Sequence, residues 1–252
     1  MELRSKNPVL TRAESEVRGT SRAYITGTTA TFGGIAIKSG ILLAIIFGIS
    51  LYIFMNIETL APILGPMLTA ALVIGFISVL VATLSRSATP VFTIIYAICE
   101  GVSLGTLSAI VELAYPGIVF GAIVITFIIF GFLLVMYSTG VFKVGLGFRK
   151  FFLTALISIL FFYFIEWILS LFHIYIINPN NLGLLLVISV IMVIMASFSL
   201  MIDFDDCRRA VDYGAPKNYE WYLSLGLLVS LVWLYTEVLR LLLIIARYTR
   251  DR

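Results

Sequence analysis

Past a polar opening, the chain alternates long apolar runs with short polar or proline-marked breaks. Seven runs stand at about 36–56, 64–84, 88–111, 117–139, 151–172, 182–203 and 221–246. Each is near the 17–25 residues that a bilayer core demands of a helix. The runs are continuous and lack strand-type alternation, which predicts helices rather than an outer-membrane barrel. Pro62 and Pro66 with Gly65 divide the first two runs, since proline cannot continue a helix and biases its predecessor toward extended structure. Ser85-Arg86-Ser87 with Pro90 marks the next break, and Tyr115-Pro116-Gly117 the one after. Gly140 to Lys150 reads as a basic loop, and Asn178-Pro179-Asn180-Asn181 as a turn between antiparallel helices. The pattern predicts an all-α integral membrane protein in three parts: a polar basic tail (1–35), a seven-helix membrane domain (36–246) and a short C-terminal tail (247–252).

Composition agrees. The chain is 61% hydrophobic and 12% charged, against about 25% charged residues in soluble domains. Cys99 and Cys207 lack CxxC spacing and read as small apolar fillers. The single histidine, His173, cannot build an imidazole metal site alone. With no apolar core before about residue 35, the opening reads as a cytoplasmic tail and not as a cleavable signal peptide.

The basic residues report orientation, not nucleic-acid binding. With the N-terminus inside, the inner segments hold Arg4, Lys6, Arg12, Arg18, Arg22, Lys38, Arg86, Lys143, Arg149, Lys150, Arg208, Arg209 and Lys217. The loops near 57–63, 112–116 and 173–181 hold no Lys or Arg. Arg247, Arg250 and Arg252 run against this rule: seven spans put them outside, unless the last helix does not fully cross.

Acids in or beside membrane helices are costly and are functional-site hypotheses by default. Asp203 still lies within the sixth run, and Glu237 lies inside the seventh. Asp203 is eleven residues before Gly214, about 17 Å of helix, and Glu237 sixteen beyond Trp221, about 24 Å. The two depths match only if 215–220 is a short loop or lies along the surface. Arg240, three residues after Glu237, offers an intrahelical pair instead. Around Asp203, spacing of four puts Cys207 on its face, with Asp205 facing Arg208 or Arg209 on another. Asp206 and Asp212 read as solvated or paired at the helix end.

Glu100 sits mid-run beside Gly101 and Gly105, a small-xxx-small face that admits a neighbouring helix. It is either a packing glutamate or a pathway acid. Glu166, next to Trp167, reads as interfacial, and Glu112 and Glu58 as solvated at outer loops. Arg86 is a positive-inside anchor or a counter-charge for the acid cluster. If Asp203 and Glu237 meet, they titrate as a coupled pair: protonated, they latch two helices; deprotonated, they repel until a hard cation such as calcium bridges them.

Several stretches resemble the Bax-inhibitor-like family, which carries the transmembrane BAX inhibitor motif, and its bacterial YccA-type branch in particular. They are Asn7-Pro8, T-P-V-F-T-I-I-Y-A-I-C-E-G-V-S-L-G at 89–105, Y-P-G-I-V at 115–119, and the segment from D-F-D-D at Asp203 through G-A-P-K-N-Y-E-W-Y to W-L-Y-T-E-V-L-R-L-L. The resemblance implies a seven-helix bundle with the last helix central. It also implies a pH-sensitive calcium leak gated by two aspartates on the sixth and seventh helices. Asp203 matches the first; Glu237 stands at the second with a longer arm. It implies, too, residence in the bacterial inner membrane and a role as modulator of a membrane-bound ATP-dependent protease.

The expected function is therefore a pH-sensitive calcium leak, with protons and calcium acting at Asp203 and Glu237. Glu100, Arg86 and Arg240 are pathway or counter-ion candidates. The alternative is a protease modulator that conducts no ions and uses the basic tail as its handle. No enzyme is expected. One histidine near an outer loop supplies neither a Ser-His nor a Cys-His pair, and no Gly-rich phosphate loop opens a helix.

Overall fold

A computed structural model describes residues 29–139, 144–173, 176–178 and 181–250. The basic residues at 4–22, Lys143, Arg252 and the centre of the Asn178–Asn181 turn lie outside them. Among these residues seven helices follow in order: α1 (Phe32–Met55), α2 (Ile57–Leu84), α3 (Thr89–Ala114), α4 (Ile118–Ser138), α5 (Leu146–Ser170), α6 (Leu182–Asp212) and α7 (Tyr219–Arg250). All seven are long and apolar enough to cross a membrane, and the chain is an integral membrane protein. Their outward faces carry large apolar side chains such as Phe76, Phe120, Phe161 and Trp167, as a lipid solvent requires.

Helix boundaries differ from the sequence reading at several ends, α6 running on to Asp212 and α7 to Arg250, and two differences change the reading of a break. Pro62 and Pro66 lie inside α2 and do not separate it from α1. The break falls at Asn56, whose side-chain amide donates to the Tyr52 carbonyl at 2.8 Å and closes α1. Both prolines fall in the first half of α2, where they withdraw the amides that would reach the Glu58 and Pro62 carbonyls; transmembrane helices tolerate proline more readily than soluble ones. At the second place, Arg149 and Lys150 belong to the first turns of α5 and not to a loop.

Contacts fix the packing. α3 packs against both α1 and α2, while α7 packs against α1, α3, α4 and α6. Close approach of α1 and α3 depends on Gly101 and Gly105: a Cβ at Gly105 would stand 2.8 Å from the Ser50 Cα and 2.9 Å from its carbonyl oxygen. Ser50 in turn donates to the Gly101 carbonyl at 2.9 Å. The Gly-xxx-Gly face therefore acts as a packing surface. α5 packs on α6 and buries only Phe152.

The chain's two described ends lie at opposite ends of the bundle. Thr29 forms a bridge with Pro216 beside the α6–α7 connection. Arg250 lies over the Tyr115 ring, at the α3–α4 connection, 6.0 Å from its centroid. The first of these is called the near end below and the second the far end.

Candidate functional site

α6 and α7 run antiparallel, and two contacts set their register. The Ser199 and Ser230 hydroxyls hydrogen-bond at 2.8 Å. One turn nearer the near end, Asp203 faces Gly226, where an added Cβ would stand 3.2 Å from Asp203 Oδ1. The missing side chain at Gly226 is what leaves room for the carboxylate. Ser230 lines the same cavity as Asp203, whose Oδ2 is buried without a partner.

A cavity of about 660 Å³ opens at this carboxylate, between α2, α6 and α7. Val79 and Thr83 line it from α2; Ser199, Asp203, Asp206 and Arg209 from α6; Tyr219, Tyr222, Gly226, Val229 and Ser230 from α7. Tyr213, exposed at the end of α6, stands at its edge.

Charges around the cavity are unevenly matched. Arg149, at the start of α5, donates to Asp205 Oδ2 and to Asp206 Oδ1, each at 2.5 Å. Arg209 donates to Asp205 Oδ2 at 2.6 Å and to the Val144 carbonyl at 3.2 Å. Tyr137 from α4 donates to Asp205 Oδ1 at 3.3 Å. Two guanidiniums thus serve Asp205 and Asp206, while Asp203 makes no ion pair among the described residues. A carboxylate oxygen left unpaired in a half-dry cavity is costly unless a proton or a cation shares it.

The predicted partners do not all converge here. Glu237 is buried on α7, accepts from Trp233 Nε1 at 3.2 Å, and pairs with Arg240 at 3.3 Å. It lies eleven residues beyond Gly226, about 16 Å along the helix axis. The structure therefore does not bring Asp203 and Glu237 together, and the intrahelical Glu237–Arg240 pair is the one formed. One calcium bound by both would need oxygens at about 2.3–2.6 Å from a common centre. Among the described residues no group of three or more His, Cys, Asp or Glu could hold a metal ion. Glu100 is half-buried and interacts with Tyr96, one turn back on α3.

Arg86 lies over the Tyr219 ring, 5.5 Å from its centroid, at the cavity's near edge. Arg149, read from sequence only as an orientation charge, is the counter-ion of the acid cluster instead. Asp205–Arg209 is the four-residue pair the spacing indicates. Glu112 is more than a solvated acid: it accepts from the Gly117 and Val119 amides at 2.6 and 3.2 Å and caps the start of α4. Sequence reading missed Glu220, whose carboxylate is fully buried at the start of α7 with Lys38 as its ion partner. The signal was Lys38 itself, a lone cation inside an apolar helix that requires a counter-charge.

A family profile described as Bax inhibitor 1 like matches residues 7–247, nearly the whole chain. Searches of curated proteins and of solved structures give no match.

Proposed function

Because the chain belongs to the Bax inhibitor 1 like family, we propose that it is a cation leak, calcium being the first ion to test, whose entry station is Asp203. The observation that carries this reading is the unpaired, buried Asp203 oxygen facing a cavity between three membrane helices. Asp203, Asp206 and the Ser199 and Ser230 hydroxyls supply oxygen ligands of the kind calcium takes, with water completing the shell. Such a station is open and partly wet, so it holds an ion weakly, and a conduction site must release what it admits.

The charge pattern supports placing the near end in the cytoplasm. Lys38, Arg86, Arg149, Lys150, Arg208, Arg209 and Lys217 all stand there, and the described far-end connections at 56–58, 115–117, 171–173 and 176–178 hold no Lys or Arg. The bacterial inner membrane, the setting that the resemblance to the YccA-type branch implies, accords with this orientation. Glu237, about 16 Å along α7 from the Gly226 that faces Asp203, is a second acidic station on the neighbouring helix rather than the other half of one latch. Protons compete with cations for the Asp203 carboxylate, so acidification that neutralises it lowers flux.

Calcium uptake into liposomes holding the purified protein, followed with an internal dye from pH 6 to 8, tests the proposal. Flux above empty liposomes is expected, with Asp203→Asn reducing it roughly tenfold or more, a loss of about 1.4 kcal/mol per decade. Absence of flux in the wild-type protein contradicts the leak and leaves a protease-binding role, mediated by the basic tail, as the reading to test.

A further inference from the structure

Five hydrogen bonds join the segment at the start of α1 to the segment at the start of α7, all at the near end. The Ala30 amide donates to the Ala215 carbonyl at 2.7 Å, next to the Thr29–Pro216 bridge. Glu220 accepts from the Thr31 amide at 2.9 Å, from the Thr31 hydroxyl at 3.2 Å, and from the Lys38 ammonium. Ser224 donates to the Ile35 carbonyl at 3.1 Å. Lys38 also lies 5.5 Å from the Trp221 ring centroid. Gly34 is part of the device, because a Cβ there would overlap the Glu220 carboxylate.

The segment held this way is also a wall of the cavity. Ala215, Tyr219, Tyr222 and Leu223 line it, and each lies within the stretch that Thr29–Lys38 grips. The stretch begins at a pivot. Gly214 has φ 66°, in the left-handed region that favours glycine, and the Ala215 amide closes back on the Ala210 carbonyl at 2.9 Å. On the inner side Ile35, Cys207 and Leu223 pack together as a small buried cluster. The grip is thus polar and centred on one carboxylate, while the contact beneath it is a cluster of three buried side chains with Ala210, Val211, Tyr219 and Leu227 packed against it.

We propose that the Glu220 clasp is a releasable closure over the near-end mouth of the Asp203 cavity. Made, it holds the α6–α7 connection and the first turns of α7 over the cavity. Broken, that stretch swings about Gly214 and uncovers the Cys207 cluster and the acids beneath. The clasp is a positioning device and takes no part in binding the ion. Its effect on flux rests on the leak reading above; its effect on access does not.

The test is thiol labelling of the full-length protein in detergent or nanodiscs with a maleimide, resolved at the two native cysteines by mass spectrometry. Both are buried in the structure, and Cys99 lies on α3, away from the clasp. Gly34→Ala expels the Glu220 carboxylate from its seat while keeping every charge. Glu220→Gln keeps the shape and removes the charge-assisted bond. Each is expected to raise Cys207 labelling by about tenfold or more, the weight of one charge-assisted hydrogen bond, with Cys99 unchanged. Gly40→Ala, in open space on the same helix, leaves both rates as in wild type. Unchanged Cys207 labelling in both variants overturns the proposal. So does a parallel rise at Cys99, which means that the clasp only holds the fold together. A selective rise at Cys207 without higher calcium flux upholds the clasp and shows that this mouth does not limit flux, whereas absence of flux in the wild type as well contradicts the leak alone.

Discussion

At the scale of single residues, function and stability separate along α6. Asp205 is bound by Arg149, Arg209 and Tyr137, so it is a joint between α4, α5 and α6. Asp203, two residues earlier, faces a cavity with one oxygen unpaired. Removing Arg149 leaves Asp206 without an ion partner among the described residues and Asp205 with Arg209 and Tyr137 alone: Arg149→Met is expected to lower the unfolding free energy by about 1–3 kcal/mol, read as a drop in thermal midpoint in detergent. A midpoint equal to wild type would show that Arg209 alone satisfies Asp205. Asp203→Asn removes a carboxylate that makes no ion pair among the described residues, so its midpoint should equal or exceed that of wild type while flux falls. The sequence displayed Asp203 plainly, because an acid inside an apolar run stands out. It hid Arg149, whose partner is 56 residues away and whose position before an apolar run is shared by every anchoring arginine.

At the scale of elements, α1 and α3 show how tightly backbone can approach backbone when side chains are absent. Gly105 packs directly on Ser50 backbone atoms, which cannot rotate away. Gly105→Ala should therefore cost about 1–3 kcal/mol through overpacking, whereas Gly131→Ala, in open space on α4, should be neutral. Thermal unfolding of the two variants side by side decides the point, and equal midpoints would refute it. Here the spacing Gly101-xxx-Gly105 announced the packing face in advance. The α1–α2 break was not legible in the same way. Two prolines suggest an interruption, yet in a transmembrane helix their lost hydrogen bonds can be made good locally, and the chain turns at Asn56. The Glu220 clasp was also hidden, since its hydrogen bonds pair residues nearly the whole length of the bundle apart in sequence.

At the scale of the whole molecule, seven apolar runs gave seven helices, and the described ends of the chain lie at opposite ends of the bundle. That geometry accounts for the basic residues at the end of α7: Arg250 lies over Tyr115 at the far end, against the charge rule that the other loops obey. An impermeant thiol reagent applied to oriented vesicles should label Lys217→Cys and Arg250→Cys from opposite sides, and labelling from one side alone would break this topology. The antiparallel register of α6 and α7 was not available from sequence. Counting residues to the connection left two depths open, and only the Ser199–Ser230 and Asp203–Gly226 contacts fix which residue of α7 faces Asp203.

That register carries the central claim, that Asp203 and Glu237 are successive stations and not one latch. The measurement that tests it most directly is a double-mutant cycle of calcium flux in liposomes, with Asp203→Asn, Glu237→Gln and the double variant reconstituted in parallel. Sites separated by more than about 7–10 Å without shared partners act additively in free energy, so the two fold-reductions should multiply in the double variant. A double variant no worse than the stronger single one would contradict the account and make the two acids a single coupled gate.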